Sequence, residues 1–316
     1  MGDGPMVDGP MVDWRILALT LTWMLVVPAT APATATAAEW RAERSSGFKS
    51  PGQGRRANGG LPDGYVASAL RGDVEKAWFI QPTRRYRHAI LGDDIEAGGL
   101  KVSLRNGKSV ELTLPKNLVF EDRTPRLRDL DGDGKNEIIT LLSSNTKGAA
   151  IAVYGLVQDK LKLVARTPFI GRSNRWRNIA GIADYNGDGA VEIAEVVTPH
   201  IGGTLKFWTW RNRQLKLAGS MRSFSNHAIG AREQRLSATA DFNGDGRPDI
   251  AVPGASRRSL HLIGFVGPNR KAAKLQEIAR IDFPSSISHP ILATNRADKV
   301  KLKLKLSNGS VWQVRR

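Results

Sequence analysis

The chain contains no cysteine, which excludes disulfides, thiol nucleophiles and an acylated Cys, and leaves core burial and bound ions as its sources of rigidity. Its longest apolar run, residues 16–27, falls short of the roughly 20 residues that a membrane-spanning helix needs. No long stretch keeps a 3.6-residue apolar period, so helical architecture is not expected. G-x-S-x-G and H-E-x-x-H are absent, and paired carboxylates occur only in one repeated motif described below, so no catalytic set emerges. Acid is also in short supply. Against 47 Lys+Arg there are 30 Asp+Glu, a formal charge of +17, and a field of that sign favours anionic partners.

Residues 16–27 have the length of a signal-peptide core. They are followed by Pro28 and small residues ending in Ala35, Thr36 and Ala37, an A-x-A cleavage pattern. Residues 1–37 therefore read as a signal peptide, and the product as exported, periplasmic or extracellular. The pentapeptide GPMVD occurs twice, at 4–8 and 9–13, and Asp3, Asp8 and Asp13 are out of place in a basic leader, which makes Met11 the better start. Residues 38–60, rich in Arg, Ser and Gly, read as a disordered basic arm, and residues 61–316 as a single domain. With export, the expected partner is a protein or an anionic envelope polymer rather than nucleic acid.

Beyond residue 60, short segments rich in Val, Ile, Leu, Phe and Trp alternate apolar and polar residues, as strands do, and Asn106-Gly107 and Asn308-Gly309 supply hairpin turns. Three segments then align residue for residue, beginning at Asp129, Asp184 and Asp241. Each reads Asp-x-(Asp/Asn)-Gly-Asp-Gly-x-x-(Asp/Glu), and each is followed by four strand-like stretches. Four strands per repeat is the composition of one propeller blade. Degenerate copies at residues 88–93 and 289–294 raise the motif positions to five. The sequence thus predicts an all-β propeller of five four-stranded blades, with six or seven as alternatives. Its ring would close by joining the strands of residues 65–80 to those of residues 300–314.

The motif places oxygen-bearing side chains at positions 1, 3, 5 and 9: Asp129, Asp131, Asp133 and Glu137; Asp184, Asn186, Asp188 and Glu192; Asp241, Asn243, Asp245 and Asp249. The backbone carbonyls of Lys135, Ala190 and Arg247 at position 7 complete a set of oxygens of the kind Ca²⁺ takes, six to eight at about 2.3–2.6 Å. An EF-hand is excluded by position 12, which is Thr140, Glu195 and Val252, and by the flanking strands. About three Ca²⁺ sites are expected. On these residues the chain resembles FG-GAP/VCBS repeat proteins, related in blade design to the integrin α-chain. The resemblance implies that each loop holds Ca²⁺ between two strands, and that Asp93 and Thr294, which lack the full set, hold none.

Four of the five histidines, His88, His200, His227 and His289, lie in similar contexts and define a candidate ligand face with Arg87, Asn226 and Arg232. If they converge, the alternative function is a hydrolase or lyase acting on a polysaccharide or phosphodiester. Otherwise each orders its own loop, and the reading is a calcium-binding interaction module without catalysis. Trp208 and Trp210 share a strand face and are expected in the core. Arg71-Gly72-Asp73 reads as an ordinary turn. Lys301, Lys303 and Lys305 share one strand face, either for binding anions or for guarding an edge.

Overall fold

The computed structural model describes Met1 and residues 39–267, 273–296 and 299–316. The segment read as a signal peptide, beyond Met1, lies outside the described residues. Every regular element among the described residues is a strand, and no helix there is long and apolar enough to cross a membrane.

The strands form four sheets. One runs in the order Arg41–Ser45, Val311–Arg315, Lys299–Lys305, Leu292–Arg296. A second joins Ala67–Ser68, Val74–Thr83, Glu96–Leu104, Leu118–Phe120, Glu137–Ser144, Gly148–Val157 and Lys160–Arg166. Onto it Ser109–Thr113 and Arg126–Arg128 pair as branches, making nine strands. The remaining two are four-stranded meanders: Arg177–Ala183, Glu192–Val197, Thr204–Arg211 and Gln214–Arg222; then Ala238–Ala240, Asp249–Pro253, Ser259–Val266 and Lys274–Asp282. All pairings are antiparallel, which lets short turns join strands that follow one another within the two meanders.

The expected propeller of five separate blades is corrected by this topology. No sheet closes into a ring or barrel, and the described residues give four sheets rather than five equal ones. The cause is the short strand Leu118–Phe120. Phe120 pairs with Ala97 of the preceding unit, while the whole strand pairs with residues 142–144 of the next. One three-residue strand therefore fuses what the repeat spacing divided. The terminal pairing also differs. Residues 65–80 stay with Glu96–Leu104, and the partner of Val311–Arg315 is Arg41–Ser45, from the segment read as a disordered arm.

Strand alternation explains how the sheets bury their faces. On Thr204–Arg211, Trp208 and Trp210 pack with Ile139 and Ile151 of the nine-stranded sheet and with Trp176, which precedes Arg177–Ala183. Phe207, on the opposite face, packs with Ile250, Ile263 and Phe265 of the next meander. Burial of a side chain of this kind contributes on the order of 2–3 kcal/mol. Leu302, Leu304 and Leu306 are fully buried against Leu260 and Leu262, while the lysines between them face outward. Lys299–Lys305 is an inner strand, so its lysines do not guard an edge.

Candidate metal centre

Each acidic motif is the connection of a β-hairpin. Arg128 pairs with Glu137, Ala183 with Glu192 and Ala240 with Asp249, so the position 9 acid is in every case the first residue of the returning strand. Position 2 anchors the loop in the core: Leu130, Tyr185 and Phe242 are 3%, 1% and 2% exposed. Their backbone N–H groups donate to the position 9 carboxylate at 2.9, 2.9 and 2.8 Å. The position 1 carboxylate accepts from the N–H of the glycine five residues on, at 2.9, 2.9 and 2.7 Å. Glycines at positions 4 and 6 have φ of 70–89°, the left-handed region that only Gly enters without cost. The sequence alone did not single out position 2, although its signal, a large apolar residue in all three copies, was present.

The three position 9 acids are buried without a cationic partner. Glu137, Glu192 and Asp249 are 7%, 0% and 1% exposed, and none forms an ion pair among the described residues. Each is pushed up to about 7, chiefly by burial, with neighbouring acids of its own loop adding to it against the backbone hydrogen bonds. In the first hairpin, carboxylate oxygens of Asp129, Asp131 and Glu137 lie within 4.8 Å of one another. That gathering of hard oxygens fits a divalent cation. In the second, Oδ1 of Asp184 is buried and has no hydrogen-bond partner, as an oxygen awaiting a cation would be. There, however, Asn186 Nδ2 donates to Glu192 at 2.9 Å and Asp188 at 3.2 Å. In the third, Asn243 Nδ2 donates to Asp245 at 3.0 Å. In both, presenting the amide oxygen to a cation requires the amide to rotate.

Position 5 diverges as well. Asp188 is paired with Arg211 at 2.8 Å and Asp245 with Arg247 at 2.5 Å. Burial raises both carboxyls, but these guanidinium bonds and the loop N–H groups outweigh it and hold them below the usual range. Among the described residues the cation paired with Asp133 is Lys135, at 3.9 Å. The position 7 residues Lys135, Ala190 and Arg247 each turn their N–H to the position 5 carboxylate, at 2.8, 2.9 and 2.9 Å.

Residues 235–260 match the FG-GAP repeat family. The FG-GAP match spans the third hairpin and the strand that Asp249 begins, and it lies within an all-β fold of several four-stranded sheets. No curated protein matches the chain.

Of the four singled-out histidines the structure brings three to one region. His200 Nε2 lies 2.9 Å from His227 Nδ1, Trp176 packs against both rings, and His88 lines a cavity of about 210 Å³ with Trp176 and His200. His289 is elsewhere, edge-on to Phe48 and beside Ser288. Arg232 pairs with Asp93. Asn226 is fully buried with neither amide atom partnered. Position 12 is committed to structure: Glu195 pairs with Arg177 at 2.9 Å and accepts from Trp208 Nε1 at 2.7 Å, and Val252 is in the core. The Arg71-Gly72-Asp73 turn is packed onto the first hairpin. Asn136 donates to Arg71 O and Val74 O, and its N–H to Asp73.

Proposed function

We propose that the protein is an exported FG-GAP-type repeat module that binds Ca²⁺ through its acidic hairpins and acts by binding an anionic partner rather than by catalysis. The observation that carries this reading is the threefold recurrence of a buried acid, Glu137, Glu192 or Asp249, opening a strand with neutral donors around it and no ion pair among the described residues. Such a group is costly to ionise unless a cation reaches it. The oxygen gathering in the first hairpin and the unpartnered Asp184 oxygen support the same reading. The ligands would be the position 1, 3, 5 and 9 side chains, and a hard cation would supply the missing counter-charge without redox chemistry. An extracellular site of this kind binds weakly, on the order of 10⁻⁴–10⁻³ M.

The anionic partner is supported by the +17 charge and by one sheet rung on which Lys301, Arg315 and Arg41 stand side by side. Like charges directly opposite disfavour pairing, and Glu43 offsets only part of this through Arg315 at 2.8 Å. The test is thermal unfolding in EDTA and in millimolar CaCl₂, for the native chain and for an Asp131→Ala, Asn186→Ala, Asn243→Ala triple variant. A melting temperature that rises with Ca²⁺ in the native chain alone is expected. An identical response in both proteins, or none in either, would overturn the reading.

A further inference from the structure

The region around His200 carries chemistry that the acidic hairpins do not use. His227 Nε2 lies 2.7 Å from the carbonyl oxygen of Ala231, and a carbonyl only accepts, so Nε2 bears the proton. His227 Nδ1 is then the acceptor, and the bond at 2.9 Å is donated by His200 Nε2. The tautomer of His200 follows: its Nδ1 carries a lone pair. Both rings are held neutral, with burial as the main cause, pushing His200 down to about 4 and His227 to about 3. On the other side of the cavity, Glu121 takes Nδ1 of His88, leaving Nε2 as that ring's remaining nitrogen. Glu121 is itself fixed by Ser143 at 2.5 Å.

Two hollows of about 210 and 320 Å³ adjoin here, sharing His200 and Ile229. The first also holds His88, the second Arg257. Arg257 has φ of 56°, a strained conformation for a residue with a Cβ. Its half-buried guanidinium donates to Ser225 Oγ and His227 O through Nη1, both at 3.2 Å. Two exposed aliphatic side chains stand among the lining residues, Ile201 and Ile229, 61% and 72% exposed. A transition metal does not suit the place, because among the described residues only the first hairpin gathers three metal-ligating side chains.

We propose that this cleft is a binding subsite for a carboxylated sugar, with Nδ1 of His200 accepting from a ring hydroxyl, Arg257 taking the carboxylate, and Ile229 covering the apolar face of the pyranose. A neutral acceptor, a guanidinium and an exposed aliphatic side chain on one small hollow match a polyol that bears an acid and a C–H face. The site stands apart from the acidic hairpins and does not rest on their binding a cation.

The test is calorimetric titration with a hyaluronan hexasaccharide, and with hexa-N-acetylchitohexaose as the neutral comparison, in EDTA and again in CaCl₂. The hyaluronan fragment is expected to bind in both buffers, and the neutral one about tenfold or more weakly. His200→Phe, which keeps a flat ring beside Trp176 but removes both the Nδ1 lone pair and the Nε2–H bond to His227, should weaken binding about tenfold, equivalent to about 1.4 kcal/mol. Ile229→Glu, at an exposed position that folding does not depend on, should weaken it at least as much by repelling the carboxylate. In ¹⁵N spectra His200 Nδ1 should resonate as an unprotonated nitrogen and shift on adding the hexasaccharide. Unchanged affinity in Ile229→Glu, equal affinity for the neutral oligosaccharide, or no binding in either buffer would each overturn the proposal. A failure of Ca²⁺ to stabilise the protein would leave it standing.

Discussion

Glu192 and Glu195 are three residues apart on one strand, are both fully buried, and are partnered in opposite ways. Glu195 faces a guanidinium: Arg177 donates to both of its oxygens, at 2.9 and 3.0 Å, and Trp208 adds a third bond. Glu192, at the hairpin end, is met among the described residues only by neutral donors, the N–H groups of Tyr185 and Asn186, the Asn186 amide and the Thr209 hydroxyl. Residue type and burial are the same, so they do not distinguish a structural carboxylate from a candidate ligand. The distinction lies in whether the protein supplies the counter-charge or leaves it to be brought from outside.

The largest effect separating the two should come from Glu195→Ala. It strands Arg177, whose Nε already lacks a partner, and removing one member of a buried pair costs about 3–5 kcal/mol. The loss should read the same in EDTA and in CaCl₂. A double Arg177→Leu, Glu195→Leu variant should recover much of it, since apolar replacement of both partners is often neutral. If the cost of Glu195→Ala depended on Ca²⁺, Glu195 would belong with the ligands and the contrast would fail.

Glu192→Gln should cost far less in EDTA, about 1–2 kcal/mol, because a near-isosteric amide keeps an acceptor for the Tyr185 N–H at the price of one poorly matched donor. Its signature is instead in CaCl₂, where the share of the Ca²⁺-induced rise in melting temperature that the second hairpin contributes should disappear. A site filled to 100 times its Kd contributes about 2.7 kcal/mol, which bounds the change. An unaltered Ca²⁺ response would place Glu192 with the structural acids.

These contrasts mark what the chain's letters disclose. All-β architecture, the three hairpin positions and the core placement of Trp208 and Trp210 were legible, because alternation and an aligned repeat are local properties. The fusion of nine strands was not. It turns on whether Leu118–Phe120 pairs on one side or on both, and nothing in three apolar residues states that. Arg41–Ser45 was misread for a related reason: its composition is polar and basic, and only its partner, Val311–Arg315, at the other end of the chain, makes it a strand. The convergence of His88, His200 and His227 was open in the sequence, since similar local contexts do not say which loops meet. The counter-ions of position 5 were equally hidden. Arg211 comes from a neighbouring strand, and the reach of Arg247 back to Asp245 depends on its rotamer rather than on its place in the motif.

Those counter-ions sharpen the comparison at its finest grain. In the third hairpin Arg247 neutralises Asp245 and so competes with any cation for the same oxygens. Position 7 is expected to offer a cation only its backbone carbonyl, and the second hairpin has alanine there, Ala190. Arg247→Ala therefore removes the competitor while keeping the backbone ligand. The ion pair joins two residues of one surface loop, Asp245 and Arg247, so its loss should cost at most about 1 kcal/mol, read as a small fall in melting temperature in EDTA. In CaCl₂ the same variant should be stabilised more than the native chain, with the midpoint of the Ca²⁺ titration moving a few-fold to lower concentration. A midpoint moving the other way would mean that the guanidinium organises the hairpin for the ion rather than standing in its place.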